Sequence, residues 1–247
     1  MDLREIKQAA PDFIRHPWET ARLKILFDLL KKHVPNPRAV ADIGCGDCYV
    51  LSSVKSRFPD CAIAGTDPAL TDARPPVFKD MADAAKHLAG PAAAALYMDV
   101  LEHVPDDRAL IKEAFACGLA DEKTVFIITV PAFACLFSEH DRRLGHLRRY
   151  TAKSLRAAAG GAGLHVLESG YFFTCPLALR ALGVLVEKVF GTVRKKPAPV
   201  ANWQYGKLAA IAAERVLLAD WTLSRTLSAC GLSLPGLSAY AVCRRGQ

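Results

Sequence analysis

No stretch of this chain runs long enough without charge to cross a bilayer. The two most apolar segments, about 177–190 and 203–230, are broken by Arg180, Glu187 and Lys188 and by Glu214, Arg215 and Asp220, short of the roughly 18 to 20 apolar residues that a spanning helix needs. No secretory leader is expected either: Met1 to Ala10 carries Asp2, Arg4, Glu5 and Lys7 with no apolar core behind them, so a cytoplasmic location is expected. The eight cysteines, at 45, 48, 61, 117, 135, 175, 230 and 243, are scattered through apolar segments. They read as reduced, mostly buried thiols rather than a disulfide framework. Cys45 and Cys48 form a C-x-x-C, but no second pair and no suitably spaced histidines lie near it in sequence, so no metal site is expected. Two phosphate-binding signatures are absent: a dinucleotide fingerprint would need glycine or alanine where Tyr49 stands, and a P-loop would need G-K-S/T. With 51% hydrophobic and 23% charged residues, disorder is excluded.

What is present centres on Val40 to Leu51, V-A-D-I-G-C-G-D-C-Y-V-L. An apolar run ends in an aspartate, a glycine turn follows, and a helix-like stretch continues from Asp47 towards Phe58, which reads as strand, loop and helix. Gly44 and Gly46 let the backbone turn sharply and approach a ligand, while the helix behind offers unpaired N–H groups to a polar or anionic group. The pattern D-x-G-x-G-x-small resembles motif I of the class I S-adenosylmethionine-dependent methyltransferases. That resemblance implies that the turn receives the methionine part of the cofactor, S-adenosyl-L-methionine, with Asp42, Gly44, Cys45 and Gly46 as its contacts. The family usually has a third glycine where Cys48 stands, and an altered loop path is expected there.

The rest of the chain alternates strand and helix signals, and 247 residues suit one α/β core with an elaboration. Trp18 to His33 reads as an amphipathic helix, with His16 and Trp18 as either a cofactor lid or a hydrophobic staple. Strands are expected at Cys61–Thr66, Val77–Lys79, Ala92–Asp99, Lys123–Val130, Leu164–Tyr171 and Leu237–Arg244, and helices at Ala109–Leu119 and Ala152–Ala159, the latter ended by G-G-A-G. Between the second and third strands, P-A-L-T-D-A-R-P-P is too short and proline-rich for a crossover helix. The resemblance implies a Rossmann-like seven-stranded sheet with strand seven antiparallel. It also implies that Asp67 grips the ribose hydroxyls and that Asp80, Met81, Met98 and Asp99 contribute to the cofactor site. D-V-L-E-H-V-P-D-D, from Asp99 to Asp107, is similar to the segment after strand four in many small-molecule methyltransferases, quinone O-methyltransferases among them. The expected division is an N-terminal helical segment (1–36), a catalytic domain (37–173 plus 235–247) and a helical cap insert (174–234) that emerges over the active-site mouth.

Methyl transfer needs an acceptor held in line and stripped of water, with a general base when a hydroxyl or protonated amine is the nucleophile. His103, after strand four, and His140 and His146, in the long segment after strand five, are the candidate bases. The pattern H-D-R-x-L-G-H-x-R-R-Y resembles one in bacterial class I methyltransferases of surface-polysaccharide and lipid settings. Arg142, Arg143, Arg149 and Tyr150 are candidate substrate contacts; alternatively the arginines form a solvated rim and Asp141 pairs with Arg143 or Arg149. The net charge of +7 admits an anionic small molecule, an acidic membrane or nucleic acid. Nucleic acid is disfavoured, because D-V-L-E stands where N-P-P-Y or D-P-P-Y would be expected and no aromatic-interleaved basic stretch occurs. The insert's amphipathic helix, followed by Arg194, Lys195 and Lys196, is read as packing on the catalytic domain, as a homodimer interface or as peripheral membrane contact. The leading function is methyl transfer to a small-molecule or lipid-like acceptor, at oxygen; the alternative is a non-catalytic cofactor-binding or membrane-associated scaffold of the same fold.

Overall fold

A computed structural model describes residues 13–70, 74–190 and 203–246. The N-terminal decapeptide, the basic Arg194–Lys196 stretch and the side chains of Glu187 and Lys188, all invoked above, lie outside the described residues. Three strands form the middle of the sheet: β1 (Ala39–Ile43), β4 (Ala94–Met98) and β5 (Val125–Pro131). β1 and β4 are buried along their whole length, as apolar parallel strands covered on both faces must be. β2 (Ala62–Thr66) and β3 (Val77–Phe78) continue the sheet on one side, β7 (Ser238–Arg245) and β6 (Leu164–Phe172) on the other. The order is β3-β2-β1-β4-β5-β7-β6, with β7 antiparallel to both neighbours.

Helices cover both faces. α3 (Met81–Leu88), α4 (Asp107–Ala116) and α6 (Ala152–Gly161) press Ala84, Ile111 and Leu155 onto one side of the sheet, against Tyr97, Phe126 and Ile128. α1 (Pro17–His33), α2 (Tyr49–Arg57) and α8 (Gly206–Ala229) cover the other, where Leu26, Leu29, Val54 and Trp221 meet Leu96, Ile127 and Val242. The described residues between β2 and β3 form turns only, as the proline-rich spacing predicts.

Three expectations are corrected. α6 does not stop at Ala159 but runs through Gly160 and Gly161, and the chain turns at Gly163, φ +88°. A Cβ on Gly161, the last residue of the helix, would lie 2.7 Å from Nε of Arg108, so this glycine also makes room for a neighbouring side chain. The segment after β5 is not an open loop: it holds a 3₁₀ turn (Ala134–Leu136) and a short helix, α5 (Glu139–Leu144), whose cap box pairs Ser138 with Asp141. The insert also divides its work. α7 (Thr174–Phe190) starts where β6 ends, its first amides from Thr174 and Cys175 donating to Asp220 of α8 at 2.7 and 3.2 Å. α8 then lies on the sheet face rather than over the mouth, with Lys24 of α1 paired to Glu214 and Trp221 Nε1 donating to Asp28 at 3.1 Å. Among the described residues no helix is long and apolar enough to cross a membrane.

Candidate active site

The turn between β1 and α2 is built around Gly44, whose φ is +70° and where a Cβ would sit 2.7 Å from Cγ2 of Val100. A side chain there would force a stiff valine aside and strain the backbone. The Gly44 and Cys45 amides donate to Thr66 O at 2.7 and 3.0 Å, tying the turn to β2. Asp67, at the end of β2, accepts from Gly46 N at 3.1 Å and from Ala69 N at 2.9 Å. Cys48 takes φ +61° and ψ 17°, the left-handed conformation of a glycine. The cysteine thus holds a glycine-like turn and bears its strain. Beneath the turn Asp42 is 1% exposed with neither oxygen hydrogen-bonded, and burial pushes its carboxyl up to about 7 against the pull of Arg22.

α1 roofs this turn. Arg15, just before the helix, donates to Glu19 at 2.5 Å and to Asp47 at 2.6 Å and lies 3.8 Å over the Tyr49 ring. Arg22 pairs with Asp99, which follows β4 at φ +58° and accepts from Thr129 Oγ1 at 3.0 Å. A positive pair thus faces the glycine turn beside an unpaired buried carboxylate. That arrangement suits the ammonium and carboxylate of an amino-acid moiety. Met98 borders the same recess. Asp80 instead caps α3, accepting from Asp83 N at 2.9 Å, while Met81 is 3% exposed in the core under that helix.

Beyond the carboxyl ends of β4 and β5 opens a cavity of about 320 Å³. His16 and Trp18 line it from α1, His103 and Glu102 from the 3₁₀ turn Leu101–His103, and His140, His146 and Arg149 from the segment after β5. Two sequence motifs are zipped together to make this wall. Leu147 N donates to Glu102 O at 2.7 Å, Arg148 donates to Val104 O and Pro105 O at 3.0 and 2.8 Å, and Tyr150 Oη donates to Asp107 at 2.8 Å. Asp141, fully enclosed, is the hub. It accepts from Ser138 N and His146 Nδ1, each at 2.9 Å, and from Arg149 Nε at 2.7 Å. Burial alone would raise its carboxyl, but His146 and Arg149 outweigh that and hold it well below the usual carboxylate range. His140 is kept below the ordinary imidazole value by burial, aided by the positive charge of Arg180.

The structure therefore brings His103, His140, His146 and Arg149 together and separates the other candidates from them. Tyr150 is 4% exposed and its hydroxyl is spent on Asp107, so it does not reach the cavity. Arg142 and Arg143 point away, their side chains 64% and 54% exposed near Glu139. Four cavity or roof residues escaped the sequence reading: Arg15, Arg22, Glu102 and Arg180. Arg22 was visible as a lone charge inside the apolar stripe of α1, and Glu102 as the acid inside D-V-L-E-H. For Arg15 and Arg180 no local signal existed.

A glycine turn after β1, an acid at the end of β2 and this strand order define the class I methyltransferase architecture. The chain matches the family described as methyltransferase domain over residues 18–169, more than half of its length, and it belongs to that family. It is an S-adenosylmethionine-dependent methyltransferase. No curated protein matches it in sequence. Among solved structures, the plantazolicin methyltransferase BamL, in complex with a triazolic desmethylPZN analogue and SAH, aligns with a TM-score of 0.54 at 9% identity, over 94% of this chain and 86% of that one. A putative sarcosine dimethylglycine methyltransferase from Galdieria sulphuraria gives 0.53 at 12% identity, over 93% and 86%. Coclaurine N-methyltransferase bound to N-methylheliamine and SAH gives 0.50 at 9%, over 90% and 70%. At these identities the likeness is one of fold.

Proposed function

We propose that this methyltransferase acts on an oxygen of a small, lipid-like acceptor seated in the cavity beyond β4 and β5. The observation that carries the reading is the convergence of His103, His140 and His146 with Glu102 in one cavity that Asp99 also lines. About 320 Å³ is the size of a small-molecule site. Trp18, Leu144 and Leu237 give it apolar walls.

The residues present fit the cofactor: Asp42, beneath the glycine turn, is a buried carboxyl that lacks the partner an ammonium would give. Asp42, Arg15 and Arg22 would hold the methionine moiety and Asp67 the ribose hydroxyls. When bound, the cofactor supplies a sulfonium methyl open to in-line displacement. His140, held neutral by burial, takes the proton of the acceptor hydroxyl as the oxygen engages that methyl. Arg149 and Arg180 set a positive wall opposite an anionic part of the acceptor. α1 and α7 exclude water, which lets positioning supply much of the rate.

An acceptor screen read by S-adenosylhomocysteine release, pairing hydroxyl compounds with their amine isosteres, tests this. Release is expected with the hydroxyl members, and His140→Gln should lower kcat by roughly 10²- to 10⁴-fold with little change in KM. Arg180, His146 and Arg149 oppose a charge on His140 while Asp141 favours it, and with burial the net is downward. The acid limb of kcat/KM should therefore fall below the ordinary imidazole value of 6.5. Transfer confined to amines, or wild-type kcat in His140→Gln, would sink the proposal.

A further inference from the structure

Glu102 is completely enclosed, neither of its carboxylate oxygens makes a hydrogen bond, and it borders the cavity. His103 and His146 share that wall, their rings edge to face with centroids 4.7 Å apart. One donor atom from each of the three residues lies within 4.8 Å of the others. His146 arrives with Nδ1 held by Asp141 at 2.9 Å, the kind of support that fixes the ring of a metal-ligating imidazole and leaves Nε2 as the donor. We infer that Glu102, His103 and His146 form a site for a divalent first-row cation, open on its cavity side to water and to the acceptor oxygen.

Two imidazoles and a carboxylate suit Mn²⁺, Fe²⁺ or Zn²⁺. Bonds of about 2.1 Å put neighbouring ligands about 3 to 3.5 Å apart, so seating the ion needs side-chain shifts of about an ångström. The charge balance favours it. Arg22 and Arg149 act on Glu102 only from a distance, being bonded to Asp99 and Asp141, and a cation would give the enclosed carboxylate the direct partner it lacks. The consequence for catalysis rests on the oxygen-acceptor reading: a hydroxyl bound to the ion is more acidic and gives its proton to His140 more readily. Sequence spacing could not announce the site, because its ligands come from two segments joined only by folding, through the bond from Leu147 N to Glu102 O.

Isothermal titration of the full chain with MnCl₂, after chelator treatment and without cofactor or acceptor, tests the site directly. Mn²⁺ is chosen because thiolates compete poorly for it. One ion per chain is expected, bound at least about tenfold more weakly by Glu102→Gln and by His146→Gln, and equally well by Cys48→Ser. Glu102→Gln keeps the size and shape of the side chain, so its thermal unfolding should match the parent and certify a folded variant. Absence of Mn²⁺ binding, unchanged affinity in both ligand variants, or loss of binding in Cys48→Ser overturns the assignment. A negative titration leaves methyl transfer standing, and a failed hydroxyl screen leaves the cation site standing, so the two readings fail separately.

Discussion

Asp42 shows how a single buried residue ties the cofactor site to the stability of the chain. Its folded value of about 7 lies above the ordinary 3.8, because burial disfavours the charge and Arg22 offsets this only in part, while Asp47 and Asp67 add to it. The folded chain therefore binds this proton more tightly than the unfolded chain does. The stability linked to that proton is fully present below pH 3.8 and is lost as pH rises towards 7. Cofactor-free protein should weaken by up to about 1.4 kcal/mol per pH unit across that window from this group. Urea unfolding at several pH values should show a shallower slope in Asp42→Asn; an identical slope would mean that Asp42 is not buried as described. Cys48 also bears backbone strain, since it holds a left-handed turn that a glycine would hold freely.

At the level of elements, the segment after β5 matters more for what it binds than for its length. Asp141 joins the cap of α5 to His146 and Arg149, while Arg148 and Tyr150 fasten the same segment to the turn that carries His103. Arg149 is 6% exposed at its side chain, so removing its carboxylate partner leaves a charge with nowhere to go. Asp141→Ala should cost about 3–5 kcal/mol, read as a lower urea midpoint with an unchanged m value. A loss below about 1 kcal/mol, the scale of an exposed pair, would show that the hub is solvated in solution.

For the molecule as a whole, the insert is a structural layer as well as a border of the cavity. Trp221 is 2% exposed and touches the rings of Phe172 and Tyr240, so α8 completes the core on the α1 side. Trp221→Ala should cost about 3–5 kcal/mol by the same urea measurement, the usual range for a large buried aromatic. A near-neutral effect would detach α8 from the sheet. Among the described residues of the insert, Arg180 of α7 is the one that lines the cavity. Roof, wall and core are thus coupled through α1, which contacts the glycine turn with Arg15, the β4 end with Arg22 and α8 with Lys24.

The linear sequence by itself marked the strands and the glycine turn, because these are local matters of hydrophobic period and backbone freedom, while the antiparallel seventh strand that the sheet shows was implied by the resemblance to class I methyltransferases. It also marked H-D-R-x-L-G-H-x-R-R-Y and D-V-L-E-H-V-P-D-D as two separate patterns. That they are one wall was decided only by tertiary structure, through hydrogen bonds between residues distant in the chain. The same holds for the roles inside them. Tyr150 left the candidate list because its hydroxyl found Asp107, and Glu102 joined it because folding enclosed a carboxylate without giving it a partner. Whether a polar side chain is satisfied depends on which distant groups surround it, and no spacing along one segment contains that information.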